Sequence, residues 1–228
     1  GETTSSFAIP LTSNTDCSET KRFFVQITPP LGSTQGPVQI EQLILENSTA
    51  TYSLDTISVV EGASGHLTLT SDISCPFDRT LQVSSSDGTA VAGTNYTALN
   101  AAAVTIPAGQ SSALVPVATL ADGRQGPTKD FSVQVTSASF GTAAGSGTVQ
   151  ITDNDPTPTL RWTLSSGSVA RSSGEASIAW QLSAASGYTV EASVTLGGSS
   201  VQGTDYEVSS LTFSISPGMT SGSFPVSL

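Results

Sequence analysis

The sequence repeats itself with a period of about 108 to 110 residues, and this repeat limits the fold more than any other feature. Gly1–Leu11 matches Gly218–Leu228, which begins two periods later, and Gly109–Val117 matches both from the middle of the chain. Gly93–Tyr96 and Gly203–Tyr206 form a further matching pair. Repeats of this kind build the same folding unit several times. We therefore expect the 228 residues to form a string of similar modules.

Within each period, apolar residues alternate with polar ones, as they do in strands that are buried on one face. His66–Thr70 and Phe131–Val135 show this pattern, and Gly, Pro, Asn and Asp separate such stretches at short intervals. About seven strands per hundred residues are typical of an immunoglobulin-like sandwich. The expected fold class is all-β, with tandem seven-strand sandwiches. Four aromatic residues at strand positions are expected in the core or at its corners: Tyr96, Tyr206, Phe23 and Phe131.

The phase of the repeat predicts one complete module and two partial ones. Residues 51–155 form the complete module, residues 1–47 hold the last three strands of another, and residues 158–228 hold the first five strands of a third. Prolines stiffen the linker Asp155–Pro158. Two interpretations remain open. The chain is a window of a longer array, or neighbouring copies complete its partial modules; the duplicated fifth strand at the two ends favours the window.

Charge and composition argue against several functions. The net charge of −11, with only seven Lys and Arg, opposes nucleic-acid binding. No apolar run approaches the ~20 residues of a membrane-spanning helix, so we expect no membrane insertion. The sequence lacks a Gly-rich phosphate loop, an HExxH motif and a GxSxG motif, and its single histidine, His66, lies in an alternating strand. We therefore expect no enzymatic activity.

Four motifs, in the right order, resemble the Calx-beta domain family. Ser86–Tyr96 is similar to the family's "DGTA–AG–DY" run, and Ile106–Gln110 is similar to its Pro-Gly turn. Lys129–Val133 and Ile151–Asp155 are similar to its "E-F-V-L" strand and its closing acidic run. The resemblance covers the middle module fully and the flanking ones in part. It implies a seven-strand sandwich found in sodium–calcium exchangers, in an integrin subunit and in bacterial surface and adhesion proteins.

The resemblance also implies a Ca²⁺ site where acidic loops meet at one end of the sandwich. Carried over residue by residue, the candidate ligands are Glu61, Asn95, Asp122, Asp130, Asp153 and Asp155. Ca²⁺ takes six to eight oxygen ligands, but Asn95 replaces an Asp, and Arg124 brings a positive charge beside Asp122. The third module keeps Asp205 but has Arg171 in the place of Glu61, and the first keeps Asp16 and Glu19. The alternative is that these turns are merely solvated and retain the family's shape.

The two cysteines fall in loops that head-to-tail stacking would bring together. In the Calx-beta arrangement, Cys17 lies between the fifth and sixth strands of the first module. Cys75 lies between the second and third strands of the middle module. We therefore predict a Cys17–Cys75 disulfide between modules, with two free thiols as the alternative. Such a bond requires an oxidising compartment, which predicts an extracellular or cell-surface location.

Together these features favour a structural or adhesive extracellular protein. Its modules would stack head to tail into a rod or filament, and its partners would be copies of itself or adjacent modules of a longer chain. The alternative function is a Ca²⁺-binding module that stiffens or switches when the ion binds. Ca²⁺ is the one cofactor that this alternative requires.

Overall fold

The computed structural model describes residues 6–12, 17, 20–29, 31–32, 38–45, 49–163 and 167–228. In these residues the regular structure is β-strand, apart from one 3₁₀ turn at Arg171–Ser173. The all-β prediction is therefore confirmed. None of the described residues belongs to a helix with the length and apolarity needed to cross a membrane.

Seventeen strands are present in the described part of the chain. In chain order they are β1 (Lys21–Ile27), β2 (Val38–Ile44), β3 (Tyr52–Leu54), β4 (Ile57–Val60), β5 (Ser64–Ser71), β6 (Arg79–Asp87), β7 (Ala102–Ile106), β8 (Ser112–Ala118), β9 (Arg124–Gln125), β10 (Lys129–Ala138), β11 (Ser146–Thr152), β12 (Leu160–Trp162), β13 (Glu175–Leu182), β14 (Ala185–Ser186), β15 (Val190–Ser193), β16 (Thr212–Ile215) and β17 (Ser221–Ser227).

Strands β3 to β11, apart from β9, fold into a two-layer sandwich. One layer is a five-stranded sheet with the order β4-β11-β10-β6-β7, and the other is a three-stranded sheet with the order β3-β5-β8. Neighbouring strands are antiparallel except β4 and β11, which run parallel. Alternate residues point inward and form the core between the sheets, among them Leu67, Leu69, Leu81, Val83 and Val149. Each such side chain stabilises the fold by about 1.5 to 3 kcal/mol.

Two of the four aromatic residues lie at the centre of this core. The rings of Tyr96 and Phe131 are stacked with their centroids 3.8 Å apart, and both residues are buried. The Tyr96 hydroxyl donates a hydrogen bond of 2.7 Å to Asp87. The expected core position is thus confirmed for these two residues, whereas Phe23 and Tyr206 are only half-buried.

Strands on either side of the sandwich repeat its pairing pattern. β12-β13-β17 has the order of β3-β5-β8, and β15-β16 repeats β6-β7. β1 and β2 form a separate hairpin that corresponds to β10 and β11. Residues 6–12, which the sequence places in the first of three strands before residue 47, are not in a strand. The two strands that match residues 6–12 in the repeat are β8, which pairs with β5, and β17, which pairs with β13. Residues 6–12 have no partner strand of this kind in the described chain. The module boundaries themselves remain predictions.

Covalent and backbone bonds connect both ends of the sandwich to its neighbours. Cys17 and Cys75 form a disulfide with their Cα atoms 4.8 Å apart, and both residues are buried. The predicted pairing is therefore confirmed. At the opposite end, β9 pairs in parallel with β14, and the amide of Gly187 donates a hydrogen bond of 2.6 Å to the carbonyl of Gln125.

A buried arginine supports the loop that carries Cys75. Arg79 is fully buried, and its guanidinium donates to the Ser71 hydroxyl at 2.6 Å, the Ile73 carbonyl at 3.0 Å and the Gln110 carbonyl at 2.7 Å. A buried charge is costly unless such bonds compensate it. The guanidinium thus connects the residues on both sides of the Cys75 loop.

Replacing Arg79→Met is expected to lower the free energy of unfolding by about 2 to 4 kcal/mol, because the buried Ser71 hydroxyl and the carbonyls of Ile73 and Gln110 lose their donor. Urea denaturation followed by far-ultraviolet circular dichroism, which reports the β-sheet of the sandwich, measures this change. The control is Arg161→Met, at an exposed position of β12, where a change within about 0.5 kcal/mol is expected. Equal losses in the two variants would contradict a specific role for Arg79.

Candidate metal centre

Three carboxylates converge at the end of the sandwich opposite Cys75. Glu61, Asp153 and Asp155 each offer one oxygen atom, and these oxygens all lie within 4.8 Å of one another. Glu61 directly follows β4, while Asp153 and Asp155 follow β11. Because β4 and β11 run parallel, their C-terminal ends emerge at the same edge of the sheet. The parallel pair thus brings together residues that are about 90 positions apart in the sequence.

Two oxygens of this cluster are buried without a hydrogen-bond partner. Glu61 is 8% exposed, and Asp153 and Asp155 are half-buried. Glu61 Oε1 and Asp155 Oδ2 are the unpartnered atoms. Leaving a buried acceptor unsatisfied costs about 1 to 3 kcal/mol, and more when the group is charged. The cluster therefore favours binding either a proton or a cation.

The electrostatics of the cluster raise the pKa of Glu61 from 4.5 to about 7. Burial is the main cause, because it disfavours the charged carboxylate. The neighbouring Asp155 carboxylate, which accepts a hydrogen bond only from the protonated form of Glu61, and the negative charges of Asp122, Asp155 and Asp153 also raise this pKa. When Glu61 is protonated, its hydroxyl donates to Asp155 and satisfies the buried oxygens. A bound cation would satisfy them in the same way.

Asp153 is held in place by the loop that contains β9. Its Oδ2 accepts a hydrogen bond of 2.8 Å from the amide of Gly126, and its Oδ1 accepts one of 3.2 Å from the amide of Asp155. These bonds orient the carboxylate and turn the chain after β11 back toward Glu61. The position of this ligand therefore depends on the conformation of residues 122–127.

Two more of the predicted ligands line the same narrow cleft but have other partners. Asp122 forms a salt bridge of 3.1 Å with Lys129, and its second oxygen accepts a hydrogen bond of 3.0 Å from the amide of Arg124. Asn95 accepts a hydrogen bond of 3.0 Å from the amide of Val91. The charge of Asp122 is thus compensated by Lys129, and the side-chain oxygen of Asn95 is used by the Val91 amide. Neither residue is part of the three-carboxylate cluster.

The structure does not bring Asp130 to the cluster. Its carboxylate accepts a hydrogen bond from the Thr89 hydroxyl, which in turn accepts one of 2.8 Å from the Asp130 amide. Gly88 approaches so closely that a Cβ there would lie 2.6 Å from the Asp130 carbonyl oxygen. Adjacent strand residues point to opposite faces, and it is Lys129 that lines the cleft. The hydrogen bonds between Asp130 and Thr89 therefore hold the "DGTA" turn against β10.

The third set of strands replaces this arrangement with an ion pair. Arg171 corresponds to Glu61 and Asp205 corresponds to Asn95; their side chains form a salt bridge of 2.6 Å. The amide of Val201, and then Arg171, lower the pKa of the Asp205 carboxyl. At the position of Glu61 this set of strands therefore has a positive charge, which is paired with Asp205. Asp16 and Glu19 of the first module lie outside the described residues.

Comparison with known families finds a match in the middle of the chain. The sequence model of the Calx-beta domain family matches residues 67–155. This region includes five of the six predicted ligands, and Glu61 lies just before it. No curated protein sequence matches the chain.

Solved structures with a similar arrangement include domains of Calx proteins. The apo form of the Calx CBD1 domain is 14% identical, with a TM-score of 0.41 over 47% of this chain and 100% of that one. The calcium binding domain CBD12 of CALX1.1 is 17% identical, with a TM-score of 0.43 over 77% of this chain and 74% of that one. The Calx CBD2 domain is 8% identical, with a TM-score of 0.39 over 45% of this chain and 86% of that one.

Without divalent cations, the free energy of unfolding is expected to fall as the pH rises from about 4.5 to about 7. In this range Glu61 keeps its proton in the folded protein, whereas the unfolded chain loses it, so raising the pH favours unfolding. The expected loss is about 3 kcal/mol. Urea denaturation in EDTA at several pH values measures it.

The variant Glu61→Gln is expected to flatten this dependence, because it has no proton to lose. Glu175→Gln, an exposed position in β13, serves as the matched control and should keep the wild-type slope. A wild-type slope in Glu61→Gln would show that other groups cause the pH dependence.

Proposed function

We propose that this chain, in which residues 67–155 form a Calx-beta domain, binds one Ca²⁺ ion at Glu61, Asp153 and Asp155. The pair of buried, unpartnered oxygens on Glu61 and Asp155 is the observation that carries the proposal. Hydrogen bonds from the surrounding protein satisfy other polar groups of the sandwich end, but not these two. A divalent cation would pair with both oxygens and compensate three negative charges.

The chemistry of the cluster suits calcium. Carboxylate oxygens are the ligands that Ca²⁺ prefers, and three carboxylates offer up to six of the six to eight oxygens that it takes. Lys129 and Arg124 line the same cleft and oppose a high affinity through their positive charge. We therefore expect a dissociation constant of about 10⁻⁴ to 10⁻³ M, as for other extracellular modules.

Calcium binding would also stabilise the connection to the following strands. Asp153 accepts a hydrogen bond from Gly126, and the adjacent residues of β9 pair with β14. Holding Asp153 on the ion would therefore order the loop that forms this connection. This supports the view that the ion stiffens the chain rather than taking part in a reaction.

We also propose that the chain serves as a structural, rod-forming spacer outside the cell. Two observations favour this second role: the Cys17–Cys75 disulfide at one end of the sandwich and the β9–β14 pair at the other. Both bonds restrict rotation between successive units, and the disulfide is suited to an oxidising compartment. As part of this proposal, the modules are arranged in tandem and the rod also serves in adhesion.

Calorimetric titration of the chain with Ca²⁺ at pH 8 is expected to show one site. Glu61→Gln and Asp153→Asn should weaken binding at least tenfold, because each removes a charged ligand, while Glu175→Gln should bind like the wild type. At pH 5.5 the apparent affinity should fall, since Glu61 must release its proton first. Absence of binding at millimolar Ca²⁺ would overturn the proposal.

The rod proposal predicts a narrow distance distribution between spin labels on either side of the β9–β14 pair. Labels at the exposed positions Ser58→Cys and Ser177→Cys, measured by pulsed electron paramagnetic resonance, would report it. Adding Gly187→Pro removes the amide that donates to Gln125, and the distribution should broaden. A broad distribution already in the protein with Gly187 intact would contradict a stiff connection.

A further inference from the structure

The Cys17–Cys75 disulfide closes a covalent loop that contains the first five strands. The two cysteines are 58 positions apart in the sequence, and β1 to β5 all lie between them. Tension on the chain before Cys17 can reach Cys75 by two routes, through the sulfur–sulfur bond or through the backbone of the loop. The Cα atoms of the cysteines are 4.8 Å apart, whereas the backbone between them extends to about 200 Å before it becomes taut. The disulfide therefore carries the tension, and the strands of the loop do not.

Without this bond, tension would enter the sandwich through β3 and β4. β3 begins at the end that carries Cys75, where the amide of Thr51 donates a hydrogen bond of 2.8 Å to Asp72. Both strands are short: β3 has three residue pairs with β5, and β4 has four with β11. β11 ends at the opposite end of the sandwich, beside the acidic cluster. The load would therefore rest on one strand pair of four residues and one of three.

With the disulfide, tension enters the sandwich at Cys75 and reaches β6, which begins at Arg79. β6 lies inside the five-stranded sheet, where it has seven residue pairs with β10 and five with β7. β10 in turn has six residue pairs with β11, through which the tension leaves. Each strand pair on this path is therefore longer than those that hold β3 and β4.

The directions of the strands make this path resistant to extension. β6 and β11 are both antiparallel to β10, so tension pulls the start of β6 and the end of β11 in opposite directions along the sheet. Hydrogen bonds between antiparallel strands lie perpendicular to the strands. Pulling along the strands therefore loads all the bonds of a pair at once, whereas pulling across them would break the bonds one after another. A longer pair distributes the same load over more bonds.

Hydrogen bonds brace the loop through which the tension enters. The carbonyl of Cys75 accepts a hydrogen bond of 2.7 Å from the amide of Gly109. The carboxylate of Asp78 accepts one of 2.8 Å from the amide of the residue before Gly109. Arg79, at the start of β6, is fully buried and donates to the carbonyl of Gln110 in the same turn between β7 and β8. The residues from Cys75 to β6 are therefore attached to the sandwich before the tension reaches β6.

The disulfide is protected from reduction while this end of the sandwich is folded. Cys17 and Cys75 are each only 1% exposed. Reduction by exchange requires a thiolate to reach one of the two sulfur atoms, and burial prevents that approach. The bond is therefore suited to carrying tension continuously.

We propose that the Cys17–Cys75 disulfide transfers tension along the chain, so that the load bypasses β1 to β5 and enters the sandwich through β6. The proposal deepens the spacer role, on which it rests, by giving the rod a load-bearing function. The part of the sheet formed by β6, β10 and β11 is then the element that resists extension.

The test is single-molecule force spectroscopy of the oxidised chain in EDTA, with the first of two handles at either of two positions. Handles coupled to unnatural amino acids at Thr12 and Thr157, both exposed, place the disulfide in the path of the tension. Moving the first handle to Thr49, also exposed, applies the tension inside the loop, so that it enters through β3. The fold and the disulfide are the same in both arrangements, and only the entry point differs.

At the same constant force, the sandwich pulled from Thr12 is expected to unfold about tenfold or more slowly than the sandwich pulled from Thr49, because at least two further hydrogen bonds share the load. The shortest strand pair between entry and exit has six residues in the first case, against three or four in the second. Forced unfolding reports this rate directly. Equal rates, or faster unfolding from Thr12, would overturn the proposal.

The double variant Cys17→Ser/Cys75→Ser checks that the disulfide is the bond that transfers the load. Pulled from Thr12, it should extend about 200 Å further on complete unfolding than the oxidised wild type, because the loop is no longer closed. It should also unfold at one rate from Thr12 and from Thr49, since tension enters through β3 in both cases. This comparison is made within the variant, so a change in its overall stability does not affect it. A difference between the two handle positions that persists in the variant would show that the disulfide does not set the entry point.

These measurements separate load transfer from the proposals on which it builds. EDTA removes divalent cations, so calcium binding at the acidic cluster does not contribute. If the spin-label distances confirm a stiff connection while both handle positions give equal rates, the spacer role stands and load transfer fails. If the distances are broad while the rates differ as expected, the stiff rod fails and the disulfide still directs the tension.

Discussion

The parallel pairing of β4 with β11 is the interaction on which the rest of the structure depends. It joins the start of the sandwich to its last strand and closes the five-stranded sheet at one edge. It also places the residue after β4 beside the residues after β11, which creates the acidic cluster. Residues 167–170, which correspond to β4 in the repeat, are not in a strand and pair with no β11-like strand among the described residues. Closure of the sheet at this edge and the convergence of the three carboxylates are therefore consequences of one pairing.

The acidic cluster illustrates how a site can be maintained at a cost to stability. Burial and neighbouring charges raise the pKa of Glu61. Near pH 7, without a cation, the cluster therefore either holds a proton or contains three carboxylates that repel one another. The third set of strands removes this cost with the Arg171–Asp205 ion pair. The two sets of strands repeat the same pairing pattern and differ in their electrostatics, with a carboxylate cluster in one and an ion pair in the other.

The connections between units are built from different bonds at the two ends of the sandwich. The disulfide is covalent and independent of ions, and the buried Arg79 holds its loop in place. The β9–β14 connection consists of two paired residues next to the acidic cluster. Its strength is therefore linked to the state of that cluster, through Gly126 and Asp153. One connection is covalent, and the other consists of hydrogen bonds beside the acidic cluster.

Several features were predictable from the sequence because they depend on local patterns. Alternation of apolar residues, turn residues and the repeat predicted the all-β class. The loop positions of Cys17 and Cys75 in stacked modules predicted their disulfide. The family resemblance named Glu61, Asp153 and Asp155, which the structure brings together, but it also named Asp130, whose carboxylate accepts a hydrogen bond from Thr89 instead.

What only the tertiary structure decided depends on pairing between distant strands. The sequence alone did not separate the three clustered carboxylates from Asp122, because the salt bridge with Lys129 forms only in the folded loop. It also assigned no role to Arg79, whose three acceptors are brought together by separate parts of the chain. Motifs and alternation are properties of neighbouring residues. The carboxylate cluster and the buried Arg79 depend instead on which distant strands lie next to each other. In this chain the packing of the two sheets determines those neighbours.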